Sequence, residues 1–97
     1  YDVYLTPVLS QPPILLGEQA PTVPFEQLME KLLEYVDYTP LANVIGSPSM
    51  SVPLFWTPSR LPIGSLFTAR FGEESLLLNL AYELEAARPW KDKRPNL

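Results

Sequence analysis

Hydrophobic and polar positions along this chain fall into short blocks, and proline separates nearly every block from the next. Residues 2–9 are almost continuously apolar or β-forming through Val3, Tyr4, Leu5, Val8 and Leu9. That pattern predicts a strand buried on both faces, ending or bulging at Pro7. A loop follows to Pro21. Residues 24–35 then place Phe25, Leu28, Met29, Leu32 and Val36 on one stripe of helical period. Thr22 is positioned to cap this helix, and Pro24 suits its first turn. The expected partner of the stripe is the chain's own sheet.

After Pro40, residues 41–45 allow one short helical turn, which Gly46 and Pro48 break. In residues 49–55, Met50, Val52 and Leu54 alternate with small or polar residues, as on a strand. Residues 63–71 predict a third strand, and the turn bracketed by Pro58 and Pro62 makes the two a hairpin. Residues 72–88 give the clearest helix. Leu76, Leu77, Leu80, Ala81 and Leu84 form a broad core-facing stripe, Glu73 and Glu74 load the N-terminus, and Pro89 stops it. Residues 90–97 are expected as an extended tail. The order strand, helix, strand, strand, helix is α/β in class, and α+β-like in so short a chain. It builds either a small two-layer unit or the last third of a larger mixed sheet.

Composition narrows the function classes. The 97 residues suffice for one small domain spanning 1–97. Charged residues make up only 19%, against roughly 25% in ordinary soluble domains. Such a surface suits a piece partly covered by more protein. There is no Cys and no His, which excludes disulfides, Cys/His zinc sites and Ser-His-Asp or Cys-His catalysis within the chain. No metal or cofactor is expected. The net charge is −4 and the few basic residues are scattered, so no nucleic acid is expected as partner. Arg88, Lys91, Lys93 and Arg94 lie in the last ten residues; this basic tail is expected in solvent or near a helix C-terminus. No run approaches the ~20 apolar residues of a membrane span, no signal peptide is visible, and a cytoplasmic location is expected. A start at Tyr1, inside a strand, suggests a fragment.

Ser47, Ser49 and Ser51 invite a nucleophile reading. With no His, the base would have to be Lys31, Lys91 or Lys93, each on a charged stretch without the apolar setting that lowers a lysine pKa. Close packing in a strand is the better account. Glu26, Glu30 and Glu34 run along one helix at i, i+4 spacing, and Glu73, Glu74, Glu83 and Glu85 lie on the other. With no second acidic set converging on either row, both read as solvated helix faces. Phe55 and Trp56 suit either a pocket wall or packing.

Residues 43–53, reading N-V-I-G-S-P-S-M-S-V-P, resemble the amidase-signature family, where N-x-x-G-x-P-A-x-S-V-P leads a strand near the C-terminus. The family's L-P-x-G and the strand after it are matched by Leu61-Pro62-Ile63-Gly64 and the residues that follow. Its helix opening with Gly and an acid is matched by Gly72-Glu73, and its D-v-l-l-x-P strand by residues 2–7. Residues 64–67, 80–85 and 88–90 are most similar to the subgroup of 6-aminohexanoate-cyclic-dimer hydrolases. Leu66, where many members carry Gln, also sets this chain with that subgroup.

The resemblance implies an amide-bond hydrolase with a Ser–Ser–Lys triad, its middle serine preceded by a cis peptide. The triad lies N-terminal to the matching region, and no position here corresponds to it, so no catalytic residue is assigned. It also implies that residues 39–43 lie near a pocket wall. Asn43 is the substrate-pocket candidate, with capping of the following turn as its other role. The expected partner is the N-terminal remainder of the hydrolase, with a homodimer as a further possibility. The rival expectation is a free-standing, non-catalytic interaction module that pairs through an exposed strand. An intact small enzyme using Ser and Lys is the third.

Overall fold

The structure, a computed structural model, describes residues 1–95. Six elements follow one another: β1 (Val3–Pro7), α1 (Phe25–Tyr35), α2 (Thr39–Ile45), β2 (Ser49–Trp56), β3 (Pro62–Ala69) and α3 (Glu74–Ala87). The turn expected after Pro40 is thus a seven-residue helix, with Pro40 in its first turn, where a missing N–H costs nothing. Gly46 ends it in the left-handed conformation (φ 69°, ψ 21°), and the Ser47 N–H donates to the Ala42 carbonyl.

The three strands form one sheet in the order β1-β3-β2, with β3 antiparallel to both neighbours. β1 and β2 therefore run parallel to each other, and the long connection through α1 and α2 carries the chain back to begin β2. β2 and β3 form the expected hairpin. Its turn is closed by bonds from the Arg60 N–H to the Thr57 carbonyl and from the Thr57 N–H to the Leu61 carbonyl, each 2.9 Å. Pro53 lies where the register shifts between Val52 and Phe55, so the proline sits at a bulge, where the ladder does not need its N–H.

Side-chain alternation gives the sheet two unlike faces. Val52 of β2 and Phe67 and Ala69 of β3 pack against Leu77 of α3, the most buried residue of the helix at 4% exposure. Leu76, Leu80 and Leu84 flank that contact, so the α3 stripe packs as its spacing predicts. Register aligns the other face in rows across the sheet: Tyr4, Thr68 and Ser49 in one, Thr6, Leu66 and Ser51 in the next. All but Leu66 carry a hydroxyl, and Ser49 Oγ lies 2.8 Å from Thr68 Oγ1.

Three expectations are corrected. β1 is not buried on both faces: Leu5, on the face that α3 covers over β2 and β3, is 59% exposed at the uncovered edge, and Tyr4, on the opposite face, is 62% exposed. α1 does not pack on the sheet and has no buried residue; Phe25, at the head of its stripe, is 74% exposed. It is tethered by polar contacts instead, from the Ser10 N–H and Oγ to the last carbonyls of the helix and from Gln19 Nε2 to the Lys31 carbonyl. Its N-cap is Pro24, not Thr22, and no side chain caps it.

The third correction concerns the tail, which is not an extended arm over residues 90–95. Trp90 packs against the core cluster, and the Lys93 N–H bonds back to its carbonyl at 3.0 Å. The end of the tail, residues 96–97, lies outside the described residues.

Candidate functional site

The hydroxyl-bearing face of the sheet forms the floor of a cleft of about 700 Å³. Tyr4 and Thr6 of β1 and Leu66 and Thr68 of β3 supply that floor, placed there by the period-two alternation of the strands. α2 supplies the facing wall with Leu41, Ala42 and Ile45. Asp37 and Tyr38, in the bend before α2, close one side, and Asp2 and Arg70 lie at the strand ends. Arg70 Nη2 donates to the Tyr1 carbonyl at 3.0 Å, which holds the start of β1 against the end of β3.

The cleft thus joins an apolar wall to a floor of alcohol groups. Such a surface binds and orients a partly apolar molecule by packing and neutral hydrogen bonds. It holds no activated nucleophile. Ser49 is bonded to Thr68, Ser51 is exposed, and Ser47 caps α2 through its backbone. No serine hydroxyl among the described residues is bonded to a lysine. Nor does any group of three or more Asp, Glu, His and Cys residues among them have metal-holding geometry. No helix among the described residues is long and apolar enough to cross a membrane.

Asn43 stands exposed in the middle of α2. Its helix neighbours Leu41, Ala42 and Ile45 line the cleft, and Asn43 does not. Sequence reasoning missed the floor residues. Their signal was there in the alternation of Tyr4, Thr6, Ser49, Ser51 and Thr68 with apolar neighbours, but only the pairing register brings them to one face.

Phe55 and Trp56 are separated by the strand. Phe55 is half exposed, with the Arg88 guanidinium 4.6 Å above its ring centroid. Trp56 lines a second, smaller hollow with Arg60, Arg88 and Lys93. The basic tail is therefore not simply solvated: Lys93 faces this hollow.

The amidase family model matches residues 1–78. The chain is 47% identical over 90 residues to "Putative amidase AmiC" of Mycobacterium leprae (strain TN), covering 93% of this chain and 19% of that protein. It is 40% identical over 65 residues to the 6-aminohexanoate-cyclic-dimer hydrolase of Paenarthrobacter ureafaciens, covering 67% of this chain and 13% of that protein. A solved structure of 6-aminohexanoate cyclic dimer hydrolase superposes with a TM-score of 0.83 at 30% identity, over 99% of this chain and 21% of the other. The chain thus spans about a fifth of the length of the first relatives it matches. With the family model covering most of its residues, the chain belongs to the amidase family.

Proposed function

We propose that this chain is the C-terminal structural portion of a cytoplasmic amide-bond hydrolase acting on linear or cyclic amides, and that it is inactive alone. In this reading the Ser–Ser–Lys triad is carried by polypeptide outside the chain. The three strands complete a larger mixed sheet, and the cleft face turns toward the rest of the enzyme.

The observation that carries the reading is exposure. The accessible surface is 7337 Å², whereas a folded monomer of 11.0 kDa exposes about 5,600 Å² by the usual scaling. The difference exceeds the ~800 Å² that one partner contributes to a standard protein interface. The exposed residues include Phe25, Leu33, Val44 and Phe71, which a self-sufficient domain would cover.

Asn43 enters as a substrate contact of the complete enzyme, on the side of α2 turned away from the present cleft. Replacing it with Ala is expected to raise KM several-fold with little change in kcat, as for a group that binds substrate and transition state alike.

The direct test is hydrolysis of simple linear and cyclic amides by the complete polypeptide and by the 97-residue chain. Turnover by the first and none by the second is expected. Turnover by the short chain would falsify the proposal.

The interaction-module reading has one observation in its favour: both outer strands, β1 and β2, have an unpaired edge among the described residues. Those edges equally suit continuation of a larger sheet or pairing with a second copy. Sedimentation of the complete polypeptide distinguishes a homodimer from a monomer.

A further inference from the structure

The two outer strands of the sheet are unlike. β1, reading V-Y-L-T-P, is close to uniformly apolar and carries no charge. That is the pattern of a strand inside a sheet whose two faces are both covered. Yet Leu5 on one face and Tyr4 on the other are each more than half exposed. β2 instead alternates Ser49 and Ser51 with Met50 and Val52, and its ladder then breaks at the Pro53 bulge. Prolines, bulges and charges are the devices that keep an edge from pairing further. β1 has no charge, no register shift and no proline before its last residue.

The register fixes where the free backbone groups of β1 point. The Ala69 N–H donates to the Pro48 carbonyl at 3.1 Å, so Ala69 turns its backbone groups toward β2. Val3 lies opposite Ala69, and theirs is therefore a pair without mutual hydrogen bonds. The Ser49–Thr68 hydroxyl contact at 2.8 Å fits the same phase, because side chains approach most nearly in such pairs. Alternation then turns Tyr4 and Thr6 toward β3, and Val3, Leu5 and Pro7 away from it. Pro7 agrees: the N–H it lacks would face outward, where β3 has no use for it. The outward row thus offers donors on Val3 and Leu5 and acceptors on Val3, Leu5 and Pro7. Once such an edge is covered and loses water, those groups need partners.

We propose that the outer edge of β1 pairs with an apolar β-strand of polypeptide outside this chain, so that β1 is an interior strand of the complete protein. The occupant rests on the reading given above. This chain spans about a fifth of the length of the relatives it matches, and a polypeptide of their length has ample chain left to supply the strand. The added strand bonds to Val3 and Leu5 over about 17 Å, the usual reach of five residues, and Pro7 ends it. Its side chains cover Leu5 on one face and Tyr4 on the other, as cross-strand neighbours do.

The test is residue-resolved hydrogen exchange on the complete polypeptide, with sedimentation and amide hydrolysis measured on the same sample. Tyr4 and Thr6 serve as the internal reference, because β3 protects their N–H groups whether or not the edge is filled. In a monomer, the Val3 and Leu5 N–H groups are expected to exchange at least roughly a hundred-fold more slowly than free amides. Fast exchange at Val3 and Leu5 overturns the proposal, and slow exchange at Tyr4 and Thr6 then shows that the strand is formed and its edge bare. Protection that is lost on dilution from dimer to monomer overturns it equally, by assigning the edge to a second copy. Turnover separates these outcomes from the reading beneath them. An active enzyme with fast Val3 and Leu5 sinks the pairing alone, and an inactive one with slow Val3 and Leu5 sinks the reading alone.

Discussion

Gly46, Pro53 and Gly64 carry much of the likeness to the amidases, and each answers to the backbone rather than to a reaction. Gly46 ends α2 at positive φ, and Pro53 occupies the bulge of β2. Gly64 is constrained most tightly: a Cβ there would lie 2.6 Å from Val8 Cγ2 and 3.0 Å from Ser51 Oγ. Valine has only one side-chain torsion with which to withdraw, so backbone must move as well. Gly64→Ala is therefore expected to destabilise the protein by about 1–3 kcal/mol, the usual range for an inserted methyl in a filled site. Val8→Ala added to it should recover part of that loss, because the clashing methyl is gone. Denaturant unfolding of the single and double variants checks both. A double variant no more stable than Gly64→Ala would assign the cost to the strand itself and not to the contact.

The two long helices separate what periodicity can reveal from what it cannot. Both carry apolar stripes of helical spacing. That of α3 meets Val52, Phe67 and Ala69, so Leu77→Ala should cost about 2–5 kcal/mol as a core truncation. The stripe of α1 buries no residue in this chain, although its amphipathic pattern is just as clear. Periodicity reports that a face will be covered, but not by what.

For the same reason, strand positions, the hairpin and α3 were legible, while the exposure of β1 and the folded tail were not. Those depend on contacts distant in sequence: β1 is an edge strand because β3 pairs between it and β2, α3 does not cover it, and the tail folds because Trp90 reaches the core. The cleft floor was half legible, as alternation without register. Covering the α1 stripe in the complete polypeptide has a measurable consequence. Phe25→Ala and Leu32→Ala there should lower stability by about 2–5 kcal/mol, like core truncations, while Glu30→Ala on the exposed row should stay within about 0.5 kcal/mol. Equal melting temperatures for Leu32→Ala and Glu30→Ala would mean that the stripe faces solvent in the whole protein too.

The shape of the molecule is that of a plate, with extents of 42 × 34 × 17 Å. Its radius of gyration is 15.4 Å, against about 12.5 Å for a compact domain of this length. Among the described residues only α3 closes the sheet, on one face, and the second face bears the cleft and the hydroxyl rows. A single sheet under one helix encloses few residues: the core cluster is Val52, Phe67, Ala69 and Leu77. So small a core supplies little of the burial needed to offset chain entropy. In the proposed reading, the stability of this unit comes from surfaces it shares with the remaining polypeptide. Supplied alone, the chain should bind a hydrophobic dye strongly, associate, and unfold without a sharp transition. Supplied in trans with the rest of the proposed hydrolase, it should restore amide hydrolysis that neither piece has by itself, and lose its dye binding on assembly. Docking through the cleft face predicts that Thr68→Arg, which places a long cation on that floor, blocks complementation. A cation added on the outer row of α1 at Glu30→Lys should leave it intact. Complementation that survives Thr68→Arg would move the shared surface to another face of the plate.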